Sequence, residues 1–268
     1  MDYSRLRKII NYSTGHYGEI DSMVKRFCSF AGIDHDRDLL NILQIVRSSF
    51  VKKGYLVVEL PFKDNEIGAL CYRGDCFGYV VVNTSLPKVN VNFAIAHEVY
   101  HVFFGENEFV SKAEFADDHY YEHEEEYAAN LFAGMLLMPE VSFRRMYSTF
   151  KEESSGDEID TIIRLMSYYQ VPSMAVLIRC LELRLIQGNL ISDEFFEMNR
   201  FMIEQKLSDL WLDESIMYAS CKDDYEHIEN IVKKFGQKYI EDGYINERTL
   251  KKVLQNMRDL YAKIRREE

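Results

Sequence analysis

The chain has little proline and little glycine. Only 4 Pro and 13 Gly occur in 268 residues, with a single Trp. That excludes a collagen-like or low-complexity polypeptide. Positive charge is also short, with 32 Lys and Arg against 44 Asp and Glu and a net charge of -12. Such a chain repels phosphate backbones overall, so direct nucleic-acid binding is not expected. Long apolar runs are missing too. The most apolar stretch, around 131–138, is far too short to span a bilayer. The opening Met1-Asp2-Tyr3-Ser4-Arg5-Leu6 has no apolar core of a signal peptide, so a cytoplasmic protein without membrane contact is expected. The 5 Cys are an odd number and match no zinc-ribbon spacing. Cys71 and Cys76 flank a turn at Arg73-Gly74-Asp75 that would suit a disulfide, but reduced thiols are expected in that compartment. What is present suits a folded protein. Apolar residues make up 47 %, and 18 Tyr and 17 Phe supply ample core material.

Hydrophobic patterning divides the chain. Residues 1–53 read as helical, with Val24, Phe27 and Cys28 on one stripe and Leu39, Leu43, Val46 and Phe50 on another. Gly54 ends that pattern. Stretches 55–60, 67–72 and 77–82 are rich in β-branched and aromatic residues and are punctuated by Pro61, Asp64-Asn65 and Gly74-Asp75. They predict a small antiparallel sheet of at least three strands. Helical periodicity resumes over 91–104, and 105–121 reads as an acidic, aromatic loop. A second helix is predicted from about 122 to 138, stopped by Pro139. Beyond 141 the chain reads as all-helical, with segments at 161–169 and 173–186 and about three more helices after Gly188-Asn189. In the last of these Leu250, Val253, Met257, Leu260 and Ile264 share a face, and Asn246 is the expected cap.

The chemistry is concentrated at His97-Glu98-Val99-Tyr100-His101, an H-E-x-x-H pattern on a predicted helix. Histidines at i and i+4 share one helical face, about 6 Å apart, and can bind one metal ion. The adjacent Glu98 can take a proton from a water molecule and pass it to a leaving amine. Zinc would supply the Lewis acid and lower the pKa of that water. The bland alternative is a surface pair of histidines beside a carboxylate. A catalytic zinc site needs a third protein ligand. Position 104 is Phe rather than Gly and no His follows nearby, so the metzincin arrangement does not apply. The cluster from Glu122 to Asn130 offers four Glu and one His. Most of its acids should only favour the N-terminal helix dipole. Glu126 is the best ligand candidate, because its face continues through the small Ala129 and Ala133, which let two helices approach closely. His123 is the rival third ligand. Asn130, one turn beyond Glu126, could hold the second nitrogen of a ligand histidine.

Here the sequence resembles the ImmA/IrrE-type metallopeptidases. The matching stretches are Val80-Val81-Val82-Asn83, then Phe93-Ala94-Ile95-Ala96-His97-Glu98 through His101. A longer block follows, Glu126-Tyr127-Ala128-Ala129-Asn130-Leu131-Phe132-Ala133-Gly134-Met135-Leu136-Leu137-Met138-Pro139. Val171-Pro172-Ser173-Met174-Ala175 with Arg179-Cys180-Leu181 is a weaker match to the family's helical tail, and the likeness covers about 55–186. Two departures lie near the site: Tyr100 stands where the family often has Gly, and Asn92 where it usually has a basic residue. The resemblance implies His97, His101 and Glu126 as zinc ligands and Glu98 as general base. It implies an α+β, gluzincin-like fold, in which the small antiparallel sheet carries the H-E-x-x-H helix and a second ligand helix, and the all-helical C-terminal region read from periodicity follows it. The strand at 77–82 would be the edge that binds substrate backbone. Tyr100, His119, Tyr120, Tyr121 and His123 are candidate oxyanion stabilisers, each expected on its own to be structural.

This reading divides the chain into an N-terminal helical segment (1–53), a metallopeptidase core (54–140), its helical tail (141–188) and a C-terminal helical extension (189–268). The expected activity is zinc-dependent endoproteolysis. The resemblance implies a helix-turn-helix repressor of the XRE-like type as substrate, and the chain's acidity suits a basic partner domain. The competing expectation is a non-cleaving antirepressor built on the same fold. A peptidase with other cytosolic targets is a third, weaker expectation.

Overall fold

The computed structural model describes residues 3–39, 41–74, 78–105, 110–114, 124–186 and 193–265. Two helices, α1 (Tyr3–Ala31) and α2 (Ile42–Lys52), lead into β1 (Tyr55–Leu60), β2 (Ile67–Arg73) and β3 (Gly78–Asn83). Then come α3 (Lys88–Phe104), β4 (Val110–Glu114) and α4 (Glu124–Leu137). Next are α5 (Glu140–Glu153), α6 (Glu158–Tyr169) and α7 (Ser173–Glu182). The chain closes with α8 (Asp193–Glu197), α9 (Arg200–Asp209), α10 (Tyr225–Glu241) and α11 (Glu247–Ile264). The α+β class is as expected, and Gly54 leaves α2 with φ +83°, a conformation that favours glycine. Asn246 caps α11 by accepting a hydrogen bond from the Thr249 amide.

The sheet departs from the expected antiparallel arrangement. Its order is β1-β3-β2-β4. β2 runs antiparallel to β3 and β4, but β1 lies parallel to β3, from Tyr55 opposite Gly78 to Leu60 opposite Asn83. Because β3 lies between β1 and β2, the connection 61–66 steps across the end of β3. The buried Asn83 side chain makes that crossing possible. Its Oδ1 accepts from the Phe62 and Ser85 amides at 3.1 and 3.0 Å. Its Nδ2 donates to the carbonyls of Asp64 and Ile67 at 2.9 and 2.7 Å. All four bonding positions of the amide are used. Asn83→Ala should therefore lower unfolding stability by about 3 kcal/mol, because several buried backbone groups lose their partner. Urea denaturation would measure this, and a loss within noise would contradict the structural role.

The order of strands also corrects the expected substrate edge. β3 is paired on both sides and has no free edge. β1 is covered on its outer side by the later chain, where the Glu59 amide bonds Asp224 and the Asp224 amide bonds the Glu59 carbonyl. The outer edge of β4 carries no further strand among the described residues. β4 itself falls inside the stretch read as loop. Its Val-Ser-Lys-Ala-Glu sequence has little intrinsic strand preference, and its pairing with β2 supplies the strand.

One main apolar core extends from α1 through α9 to a 3₁₀ turn at Glu214–Met217. Phe27, Phe50, Phe132 and Phe143 are among its largest fully buried members. A second cluster, Val58, Leu60 and Phe62, is covered by Tyr225 and Ile228 of α10 and Tyr261 and Ile264 of α11. Among the described residues the C-terminal part holds one α-helix more than the three expected, the short α8.

Arg73 at the end of β2 fixes the C-terminus of α3. Its guanidinium donates to the carbonyls of Val102 and Gly105 at 2.8 and 3.0 Å, and its Nε donates to the Tyr55 hydroxyl at 2.7 Å. A cation at the carbonyl end of a helix is favourable both as a cap and toward the dipole.

Candidate metal centre

α3 and α4 pack against each other through small and apolar residues. Ala129 and Ala133 of α4 are fully buried, as are Ala96 and Val99 of α3. This close approach brings one face of α4 over the His97–His101 face of α3. The two imidazole Nε2 atoms lie 3.1 Å apart. The carboxylate of Glu126 spans them, with Oε2 at 3.2 Å from His97 Nε2 and Oε1 at 3.5 Å from His101 Nε2. Both histidines are 3 % exposed, and the neighbouring Glu98 is fully buried.

The outer nitrogens of both rings are held from α4. His97 Nδ1 donates to Asn130 Oδ1 at 3.0 Å. His101 Nδ1 donates to Glu125 Oε1 at 3.3 Å. Each bond places the proton on Nδ1 and turns the lone pair of Nε2 toward the shared space. The sequence singles out Asn130 but not Glu125, which it reads as one more acid at a helix start. Glu125 has a role only because α3 and α4 meet here.

The donor set fits a metal cation. Two buried imidazoles and a carboxylate place three ligand atoms within 4.8 Å of one another. Burial alone would lower the pKa of His97. The hydrogen bond and charge of Glu126, then the charge of Glu98 and the bond to Asn130, outweigh it and raise the pKa. The pocket therefore favours positive charge. Two nitrogens and one carboxylate are the ligand types of catalytic zinc sites that keep a position open for water or substrate. Asn130→Ala should weaken metal binding by roughly 10–100-fold while the fold persists. A chelator competition titration would show this, and unchanged affinity would contradict the role of Asn130.

The segment 51–181 matches the M78 peptidase model, described as the IrrE N-terminal-like domain. Residues 51–181 form an M78 peptidase domain. No curated protein matches the chain at significant similarity. The M78 domain runs from the last turn of α2 to the end of α7, so α1 lies before it and α8 to α11 after it. Its family is one of metallopeptidases, and the paired helices just described lie within it.

The two departures from the family pattern have structural uses in this domain. The Tyr100 ring packs edge-on to His101 and Phe132, with centroids 5.7 and 6.0 Å away. The Asn92 side chain donates to the carbonyl of Gln170 at 3.0 Å and ties α3 to the turn between α6 and α7. His119, Tyr120, Tyr121 and His123 lie outside the described residues, as does Cys76. Cys71 is a free, buried thiol.

Proposed function

We propose that the protein is a zinc-dependent endopeptidase acting in the cytoplasm, and that its substrate is a helix-turn-helix transcriptional repressor. The observation that carries the reading is the meeting of His97, His101 and Glu126 beside the buried Glu98, inside an M78 peptidase domain. His97, His101 and Glu126 would hold the zinc ion. Bound there, zinc would polarise the substrate carbonyl and make water acidic enough to react near neutral pH.

The remaining work falls to the protein's own side chains. Asn130 and Glu125 orient the two imidazoles, so the ligand atoms need no rearrangement. The Glu98 carboxylate takes the proton of the attacking water and delivers it to the departing amide nitrogen. An extended substrate can add to the outer edge of β4, where backbone hydrogen bonds supply affinity without regard to side chain. The repressor assignment rests on the family likeness and on the net charge of -12, which favours encounter with a basic DNA-binding domain.

A substrate trap tests this reading. Tagged Glu98→Gln protein is expressed in its host, and each captured partner is incubated with wild-type protein and zinc. A helix-turn-helix protein held by the variant and cut only by the wild type is the expected result. Capture without cutting, with zinc bound, would instead support a sequestering antirepressor.

A further inference from the structure

A cavity of about 170 Å³ opens beside the metal centre, between α1, α3, α4 and α7. His97, Glu126 and Asn130 line it directly, so it is continuous with the space where the bond would be cut. Most of the remaining lining is apolar, including Phe93 and Ala94 of α3, Leu131 of α4, and Met174 and Ile178 of α7. We propose that this cavity is the specificity pocket of the peptidase. It receives a large, uncharged apolar side chain of the residue next to the scissile bond, and α1 supplies the wall that sets its size. The proposal rests on the peptidase reading given above.

Size and lining point to the occupant. A dry apolar cavity of about 150 Å³ is large enough for a benzene-sized group, which matches a Leu, Met or Phe side chain. Gly134 supplies a separate observation. It lies on α4 and lines the cavity, and a Cβ built there meets no atom within 4 Å. Glycine is among the poorest helix formers. A buried one facing open space keeps room that an alanine would begin to fill.

The polar part of the cavity lining selects against charge. Arg179 and Glu182 line it and pair with each other at 3.0 Å, with side chains only 2 % and 3 % exposed. Arg179 Nε also donates to the Met138 carbonyl at 3.1 Å. Burial holds the Glu182 carboxyl above its usual range, although Arg179 and Ser13 pull it down. Groups already committed to each other offer no counter-ion to an incoming charge, and burying that charge alone would be costly.

The α1 wall lies outside the M78 match, so it belongs to this chain's own N-terminal part. It is fixed in place. The Tyr12 ring stacks on Tyr127 of α4 with centroids 5.4 Å apart. The Tyr17 hydroxyl donates to Glu140 Oε2 at 2.8 Å. Ile9, Tyr12 and Ser13 then face the cavity from a rigid helix.

The test compares zinc-loaded full-length wild type, Gly134→Leu, Gly134→Ala and Tyr12→Ala on a proteome-derived peptide library, reading cut sites by mass spectrometry. Wild type is expected to cut next to Leu, Met or Phe. Gly134→Leu should shift the preference toward Ala and Ser by at least about tenfold, the scale on which pockets discriminate by size. Gly134→Ala should move it the same way by less, and Tyr12→Ala should admit larger residues, with zinc content equal in all four. A preference for charged residues, or the same preference in wild type and Gly134→Leu, would overturn the proposal.

Toluene is the second probe, followed by NMR of the Met174 methyl group, and it needs neither zinc nor turnover. Wild type should bind it and Gly134→Leu should not. Absence of toluene binding would overturn the pocket itself. Toluene binding with no peptide cut would overturn the peptidase reading, and the specificity role with it.

Discussion

Glu98→Gln is expected to abolish cleavage while leaving the zinc content of the protein unchanged. Glu98 follows His97 in sequence but is not one of the three side chains that converge on the shared space. Its side chain is fully buried on α3, so the isosteric glutamine keeps the packing. What is lost is a carboxylate able to accept and return a proton. General acid–base assistance is worth roughly 10²–10⁴-fold in rate, and cleavage should fall by at least that much. Rates would be followed on the repressor captured by the trap, and zinc by elemental analysis of the same preparation. Retained cleavage would remove Glu98 from the mechanism. Lost zinc would show instead that the substitution disturbs the ligands.

Glu126→Ala is expected to act on the metal first and on activity only as a consequence. The Glu126 carboxylate on α4 reaches both Nε2 atoms, at 3.2 and 3.5 Å. Its removal should cost more affinity than the roughly 10–100-fold lost with an outer hydrogen-bond partner such as Asn130. The loss should also appear as lost thermal stabilisation by zinc. Saturating an intact site at about 1,000 times its Kd contributes about 4 kcal/mol, and the variant should show little of it. Unchanged zinc affinity and an unchanged melting shift would exclude Glu126 as a ligand and direct attention to His123.

The features legible in the sequence are those set by local spacing. His97 and His101 lie one helical turn apart in any helix, so their shared face follows from the order of residues alone. The choice of Glu126 from four glutamates followed from the small residues on its side of α4, and the structure brings its carboxylate to both histidines. Features set by packing between distant segments were not legible. Glu125 reaches His101 only across the α3–α4 contact. β1 lies parallel to β3 because Asn83 secures the crossing connection, and no alternation pattern encodes that choice. β4 owes its strand to β2, and so the open edge moved from 77–82 to Val110–Glu114. The helical periodicity of α1 was evident, but its position as a cavity wall depends on how it rests on α4 and α7.

Asn83 closes the sheet crossing beneath α3, and Arg73 holds the end of α3. Close packing of α4 then completes a donor set that α3 alone cannot provide. The central claim is that His97, His101 and Glu126 together bind zinc. X-ray absorption at the zinc edge, on protein loaded with one equivalent, tests it most directly. Only nitrogen and oxygen neighbours at about 2.0–2.2 Å are expected, with a changed spectrum in Glu126→Ala. Sulfur neighbours at about 2.3 Å, or the same spectrum in the variant, would contradict it.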